Sequence, residues 1–413
     1  MRRALTALLA LVAALATVSA AQAQGFTQRG FAEGQGLLYP QAAPGDNRQV
    51  GANALLRYEP AYTPASWLSF AGSFDARIDT FGYVEWSWRL DWLDQTRLRP
   101  AFSVRRLVGT VSHGGLSIDL GRQFIRWGKA DIVNPTDRFA PRDFMDVVVT
   151  DFLAVAGARV TYEKKGKSID LVWVPFFTPS RLPVAGGRWS FAEPATEIVA
   201  TVDGGAEYPR GSQFGARWNH AMSGFEYSLS FYDGYNHLPL LDSRFTPSPP
   251  QIAIVQVFPR IRVYGGDAAW PLRWFTLKGE AGYFTSPDPR ADEYGLYVVQ
   301  AERQVGEWFF VGGYSGEVVT KQRATFTFAP DRGLARSFLG RASFTVDVNR
   351  SLAFQAVVRQ NGDGVWVEGE YSQAAGQHLR LTLRGDVIRG ADTDFLGQYH
   401  RNSHLTATLR YSF

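Results

Sequence analysis

Charged side chains crowd one stretch of this sequence: Arg122, Arg126, Lys129, Asp131, Asp137, Arg138, Arg142, Asp143 and Asp146. Pro135 and Pro141 interrupt it, so neither a continuous strand nor a helix fits there. Asn134-Pro135 and Pro135-Thr136-Asp137 carry turn signals, and Asp137 or Asp143 suits the cap of a short helix. Cations and carboxylates set side by side on such a loop create a transverse field that acts on passing polar solutes. The other reading is a loop packed on a rim, its charges paired for structure.

Catalytic chemistry has little support. The chain has no cysteine, which removes disulfides, thiolate metal sites and Cys nucleophiles. No G-x-S-x-G elbow and no H-E-x-x-H pair occurs. Of six histidines, His113, His220, His237, His378, His400 and His404, the nearest pair is His400 and His404, flanking a strand start. His237 and His400 fall in long loops, where a lone histidine is ordinarily just solvated. No enzyme, cofactor or metal is expected, although an Asp/Glu calcium site in a loop stays open.

The elements that carry these residues have a period of two. Leu405, Ala407, Leu409, Tyr411 and Phe413 alternate with His404, Thr406, Thr408, Arg410 and Ser412. Successive strand side chains point to opposite faces, so one face is apolar and the other polar. The pattern recurs over residues 68–77, 84–92, 225–231, 275–283, 341–347 and 379–384. These strands run about 10–13 residues, against about 5–6 in soluble proteins and about 9–11 for a tilted strand crossing a bilayer. Aromatic residues near strand ends, such as Trp92, Tyr283, Tyr371 and Tyr411, suit two interfacial belts.

The pattern predicts strands at 49–60, 66–78, 82–93, 99–112, 115–127, 151–163, 167–175, 212–220, 223–233, 257–269, 272–284, 292–303, 306–317, 335–347, 350–360, 363–374, 376–387 and 402–413. Links after even-numbered strands are short, as at Gly114, Lys164-Lys165-Gly166 and Asn349-Arg350. Several links after odd-numbered strands are long: 128–150, 176–211, 234–256, 318–334 and 388–401. The fold class is therefore all-β: a transmembrane antiparallel up-and-down β-barrel of about 18 strands, with 16 if one hairpin is merged. An open edge is not tolerated in lipid, so the sheet must close.

The N-terminus has a basic start at Arg2-Arg3, an apolar run from Ala4 to Val18 and an A-x-A site at Ala21-Gln22-Ala23. It reads as a signal peptide over residues 1–23. Residues 24–48 read as an N-terminal periplasmic segment and 49–413 as the barrel. Losing Arg2 and Arg3 takes the formal charge from +4 to +2, which argues against nucleic acid as a partner.

Two stretches carry a resemblance. The ending Tyr411-Ser412-Phe413 is similar to the signature by which bacterial outer-membrane barrels are recognised for insertion. The segment Gly121-Arg122-Gln123-Phe124-Ile125-Arg126-Trp127-Gly128-Lys129-Ala130-Asp131, then Asn134-Pro135-Thr136-Asp137 and Pro141-Arg142-Asp143, resembles a porin-like outer-membrane family of largely unknown function. Trp173-Val174-Pro175-Phe176-Phe177 and Arg181-Leu182-Pro183 extend the match, which covers about residues 119–183. The resemblance implies a cell outer-membrane location in a Gram-negative envelope and a loop folded into the lumen as a constriction. It implies as partners the outer-membrane lipid and the barrel assembly machinery. A homotrimer stays open.

The expected constriction or solute-contact set is Arg122, Arg126, Lys129, Asp131, Asp137, Arg138, Arg142 and Asp143. Parity from Leu116, Ile118 and Leu120 turns Arg122 into lipid, unless Gly121 marks a bulge or Arg122 lies above the membrane. Expected lumen-facing charges are Arg77, Glu85, Arg89, Asp91, Arg159, Arg217, Lys278, Glu280, Arg341, Asp347, Glu368, Glu370, Arg380, Arg384 and Arg410. Both signs are present, so strong ion selectivity is not expected. The segment 176–211 either folds inward as a plug or stays exposed at the mouth. The sequence thus points to passive passage of small solutes through a water-filled, charged lumen. The alternative is a loop-plugged barrel acting as a specific transporter of less polar compounds or as a structural or export partner.

Overall fold

The structure is a computed structural model that describes residues 25–86, 92–191, 200–247, 250–323 and 328–413. The expected signal peptide, residues 1–23, lies outside the described residues. Eighteen strands form one sheet: β1 Phe26–Leu38, β2 Val50–Ala65, β3 Leu68–Asp79, β4 Phe102–His113, β5 Leu116–Gln123, β6 Val155–Lys164, β7 Lys167–Val174, β8 Gln213–Met222 and β9 Phe225–Tyr235. The rest are β10 Arg260–Pro271, β11 Thr276–Thr285, β12 Glu293–Val305, β13 Trp308–Lys321, β14 Ser337–Asp347, β15 Arg350–Arg359, β16 Gly364–Ala375, β17 Leu379–Gly390 and β18 His404–Ser412. Each is antiparallel to its sequence neighbours, and β1 also pairs with β18, from Phe31 opposite Ser412 to Leu38 opposite Leu405. The sheet is therefore closed. Gly30 finishes the seam by exchanging backbone hydrogen bonds with Phe413 at 2.9 and 3.0 Å. A Cβ on Gly30 would meet the Phe413 ring at 2.7 Å, so the seam needs glycine there.

The strand number matches expectation, but two memberships differ. Residues 26–38, expected outside the barrel, form its first strand. Their alternation is hidden because the outward positions between Phe26 and Leu38 are Gln28, Gly30, Ala32, Gly34 and Gly36, with no bulky apolar side chain to mark the lipid face there. Of the expected strand 82–93, residues 82–86 and 92–93 are not part of the barrel, and 87–91 lie outside the described residues. Both carboxylate oxygens of Asp79 accept backbone N–H groups, from Gly82 at 3.0 Å and Tyr83 at 2.9 Å. Gly82 adopts φ +77°. This turn ends β3, and among the described residues that follow only Val84–Glu85 is extended, pairing in parallel with Arg99–Pro100 inside the long connection.

Eight connections are tight: 66–67, 114–115, 165–166, 223–224, 272–275, 306–307, 348–349 and 376–378. They lie at one end of the barrel, with the start of β1 and the end of β18. At the other end lie long connections, above all 80–101, 124–154, 175–212 and 236–259. Parts of the last two join as a three-stranded sheet of Ala200–Glu207, Leu240–Pro247 and Pro250–Val257.

The outer surface of the wall is apolar. Leu120, Leu171, Leu229, Phe354, Leu383 and Leu409 are exposed on it. Exposed Trp67, Tyr162, Trp270, Trp274 and Trp308 ring the short-turn end, and Tyr264, Tyr283 and Phe338 sit toward the other. Trp92 belongs to neither belt, since it lies in the 80–101 connection.

Inside, the two halves differ. Toward the long-loop end, inward positions such as Val155, Val174, Val263, Phe284, Leu339, Val357 and Ile388 are buried. They pack against loop residues Ile125, Trp127, Phe139, Phe144, Trp189 and Tyr399 in one apolar cluster. The inward-facing wall is thus less uniformly polar than the sequence suggests.

Candidate functional site: a loop pinned across the lumen

The connection 124–154 does not rest on the rim. It enters the barrel after β5 and runs along the inner wall as far as β11 and β12, six strands or more away. Asp137 shapes its start by accepting the backbone N–H groups of Trp127 at 2.5 Å and Gly128 at 2.6 Å. The Trp127 indole N–H donates to Asp170 on β7 at 2.9 Å, and Arg217 on β8 donates to the Trp127 carbonyl at 2.5 Å. Lys129 then reaches Glu226 on β9 at 2.9 Å and Asp267 on β10 at 3.1 Å.

The far attachment is Glu280 on β11, which is buried. One carboxylate oxygen accepts the N–H of Lys129 at 2.8 Å and of Ala130 at 3.0 Å. The other accepts both the N–H and the hydroxyl of Thr136, each at 2.8 Å. Asp131 and Gln300 on β12 exchange a second pair of bonds, at 3.2 and 2.5 Å. Two strands of the loop are therefore clamped to one wall carboxylate. An ionised acceptor makes such bonds shorter and stronger than neutral ones.

The returning arm is held by cations. Arg138 bonds the Asn134 carbonyl at 3.0 Å, pairs with Asp331 at 3.4 Å and lies 5.1 Å from the Phe284 ring centre. Arg126 and Arg142 both stack on Phe152, at 4.0 and 4.4 Å. Arg126 also approaches Asp137 at 3.5 Å, whereas Arg142 is held by Asn134 Oδ1 at 2.9 Å. Asp143 closes a chain of buried pairs that runs Arg99–Asp143–Arg181–Asp94–Arg122. Burial would raise the Asp143 carboxyl, but Arg99 and Arg181 beside it hold it well below the usual carboxylate range.

The eight expected loop residues thus part into two groups. Arg122, Asp137 and Asp143 are buried in structural pairs. Arg122 does not face lipid: it is 2% exposed and bonds the Trp92 carbonyl and Asp94 beneath the 80–101 connection. Gly121 before it takes φ +125° without a register slip. Arg126, Lys129, Asp131, Arg138 and Arg142 stay at least partly open to the lumen.

Most expected lumen charges are also paired, within one strand or with another strand. Arg77 pairs with Asp75 at 2.5 Å, Arg159 with Asp170 at 2.7 Å, Arg217 with Asp267 at 2.6 Å, Lys278 with Glu302 at 2.5 Å, Arg384 with Asp386 at 2.9 Å and Arg410 with Glu33 at 2.5 Å. Arg380 donates to Ser372 at 2.8 Å. Arg341 is exposed, and Glu370 stands opposite Arg384 in register. Two expectations are corrected. Glu85 lies in the 80–101 connection, because β3 ends before it. Asp347 caps the short turn after β14, where it pairs with Arg350 at 2.6 Å. Arg89 and Asp91 lie outside the described residues.

Several partners escape the sequence reading: Asp170, Asp267, Gln300, Arg99, Arg181 and Asp94. Alternation carried along β7 and β10 would turn Asp170 and Asp267 inward. Nothing local signals the loop residues Arg99, Asp94 and Arg181. The segment 176–211 contributes to the fill, since Phe177, Arg188 and Trp189 are buried.

Two chambers flank the loop, and both touch Val149 and Thr150. One, of about 320 Å³, is lined by Asp131, Arg138, Arg142, Trp366 and Glu368 among others. The other, of about 230 Å³, is lined by Glu33, Arg77, Asp146, Arg384 and Thr406 among others.

No family model matches the chain, and no curated protein matches it. Solved structures do. OccAB4 of Acinetobacter baumannii is similar at TM-score 0.55 and 10% identity, over 95% of this chain and 99% of that one. A BenF-like porin from Pseudomonas fluorescens Pf-5 is similar at 0.54 and 11%, over 94% and 98%. OccK2 of Pseudomonas aeruginosa, in complex with glucuronate, is similar at 0.53 and 11%, over 94% and 96%. At these identities the likeness shows the fold, a porin-type barrel.

Two outcomes follow. Glu280→Ala orphans the donors that hold Lys129, Ala130 and Thr136, at about 1–3 kcal/mol for each donor left unsatisfied. Amide hydrogen exchange over residues 124–137 should rise on the order of a hundredfold while the wall strands stay protected. Unchanged exchange would show that the clamp does not hold the loop. The second concerns His237, buried in the 236–259 connection. Burial lowers its pKa from 6.5 to about 4, against the opposing bond to the Thr178 carbonyl. The opened state binds the proton first, so loop packing is retained above about 6.5 and weakens as pH falls toward 4. At pH 5 the loss is about 2 kcal/mol. Exchange at residues 176–182 should accelerate between pH 7 and pH 5, and His237→Phe should abolish that acceleration.

Proposed function

We propose that the chain is an outer-membrane channel through which small polar solutes pass passively, with the short turns facing the periplasm. The carrying observation is the pinned loop. It narrows a charged lumen yet leaves chambers of about 320 and 230 Å³ on its two sides. The barrel fold, the apolar outer wall and the aromatic belts support the membrane location. A signal peptide over residues 1–23 would deliver the chain. The exposed Leu405, Leu409 and Tyr411 on the last strand suit recognition by the assembly machinery and contact with lipid. The similar structures are porins rather than enzymes, which supports the expectation that the chain catalyses nothing.

Solute contact is assigned to Arg126, Lys129, Asp131, Arg138 and Arg142, with Glu368 opposite. Arg142 stands out because no carboxylate lies within 4.0 Å of it among the described residues. The apolar packing of Ile125, Trp127, Phe139 and Trp189 favours a second reading, a plugged barrel that admits few compounds.

Uptake into proteoliposomes separates the two. A channel admits glucose and glucuronate, and a plugged barrel admits neither. In Arg142→Ala, glucuronate uptake should fall roughly fivefold, from the loss of about 1 kcal/mol of attraction in water, while glucose uptake is unchanged. An equal fall for both solutes would remove Arg142 from the contact set.

A further inference from the structure

The short-turn rim carries a cluster of three lysines, Lys164, Lys165 and Lys167, that the channel reading does not use. On β6, Arg159 and Thr161 bond Asp170 and so face inward, which turns Tyr162 and Lys164 outward. On β7, Asp170 faces inward, which turns Lys167, Ile169 and Leu171 outward. On β8, Arg217 and Asn219 face inward, and Trp218 and His220 therefore face outward. On β9, Glu226 and Ser228 face inward, and Tyr227 and Leu229 outward. The register joins these outward residues into two parallel rows. The row nearer the middle of the wall is Tyr162, Ile169, Trp218 and Leu229. The row at the rim is Lys164, Lys167, His220 and Tyr227.

Lys164 and Lys167 are direct cross-strand partners on the lipid side. Lys165 lies between them in the turn, at φ +50°. Like charges placed directly opposite destabilise a sheet unless something neutralises them. None of the three lysines has a carboxylate within 4.0 Å among the described residues. Elsewhere on the same rim Arg350 pairs with Asp347 at 2.6 Å and Arg29 with Glu59 at 2.9 Å, whereas Arg273 and Arg303 lie against the Trp274 ring at 5.0 and 5.6 Å. Beside the lysines, Trp218 packs edge-on against Tyr227 at 5.3 Å, and His220 lies 5.8 Å from Trp218. Exposed Tyr162, Ile169 and Leu229 continue the patch toward the membrane middle.

We propose that this patch binds an anionic phospholipid of the leaflet at the short-turn end. Lys164, Lys165 and Lys167 hold the phosphate, His220 and Tyr227 flank it, and an acyl chain lies along Ile169 and Leu229. Charge complementarity and the apolar row leading away from the cations select a lipid over a soluble anion. The proposal rests on the membrane-barrel reading, but not on an open lumen.

The test is native mass spectrometry of the folded barrel released from bilayers of phosphatidylglycerol and phosphatidylethanolamine in equal amounts. About fivefold discrimination for each lysine near a surface is the expected scale. The wild type should retain phosphatidylglycerol in at least fivefold excess. Lys164→Gln combined with Lys165→Gln and Lys167→Gln should remove the excess, and the corresponding three Arg substitutions should restore it. Arg350→Gln should leave it intact. No preference in the wild type, or a preference that survives the three Gln substitutions, would overturn the site. Displacement of the lipid by equimolar inorganic phosphate would also overturn it, since the acyl contact would then contribute nothing. Solute uptake by the same variants should be unchanged. A barrel that admits no solute yet retains phosphatidylglycerol would sink the channel reading alone.

Discussion

Hydrocarbon offers no partner to a backbone N–H or C=O, and the rest of this structure answers that constraint. Strands in lipid must bond only to one another, so the sheet has to meet itself. It does so where β1 lies against β18 and Gly30 exchanges bonds with Phe413. Closure turns one face of every strand toward lipid and the other toward the interior. The alternating sequence is the consequence. Eighteen strands leave an interior wider than wall side chains can fill. Something else has to occupy it, and the long connections supply that material.

The filling is not uniform. Near the long-loop end, apolar loop residues pack against apolar inward wall positions, as a soluble core would. Further in, charges dominate, and most are paired within a strand or with another strand. An ionised group in so narrow a space is costly unless it has a partner. The pairs therefore let charge line the interior without leaving it uncompensated. Glu280 joins the two regions. It presents one wall carboxylate to four loop donors and so holds 124–137 at a fixed height across the lumen. What stays open beside the loop is set by that clamp, and Arg142 and Glu368 border it.

Much of this was legible in the sequence because bilayer physics writes a period of two. The barrel and the separation of short turns from long loops follow from alternation, whereas the strand number agrees because one missed strand, 26–38, offsets one that does not join the barrel, 82–93. The first strand was not legible, because Gly30, Ala32, Gly34 and Gly36 give lipid a face without bulk. Residues 82–93 alternate with three tryptophans, yet the Asp79 turn stops the strand before them. The charged stretch from Arg122 to Asp143 was visible as a set, but its division was not. Nothing local distinguishes Asp143, locked between Arg99 and Arg181, from Arg142, which faces a chamber. That difference arises from residues distant in sequence and brought together by the fold. His237 likewise reads as a solvated loop histidine, whereas the structure buries it against Phe177 and the Thr178 carbonyl.

The pinned loop narrows the lumen without sealing it. Single-channel recording of the refolded barrel in a planar bilayer tests this most directly. Stable, small conductance steps and a reversal potential near zero under a salt gradient are expected, because the inward charges are largely paired. Electrical silence from a barrel that still shows the gel mobility of a folded, heat-modifiable protein would contradict it, and would mean that the apolar packing around the loop closes the pore.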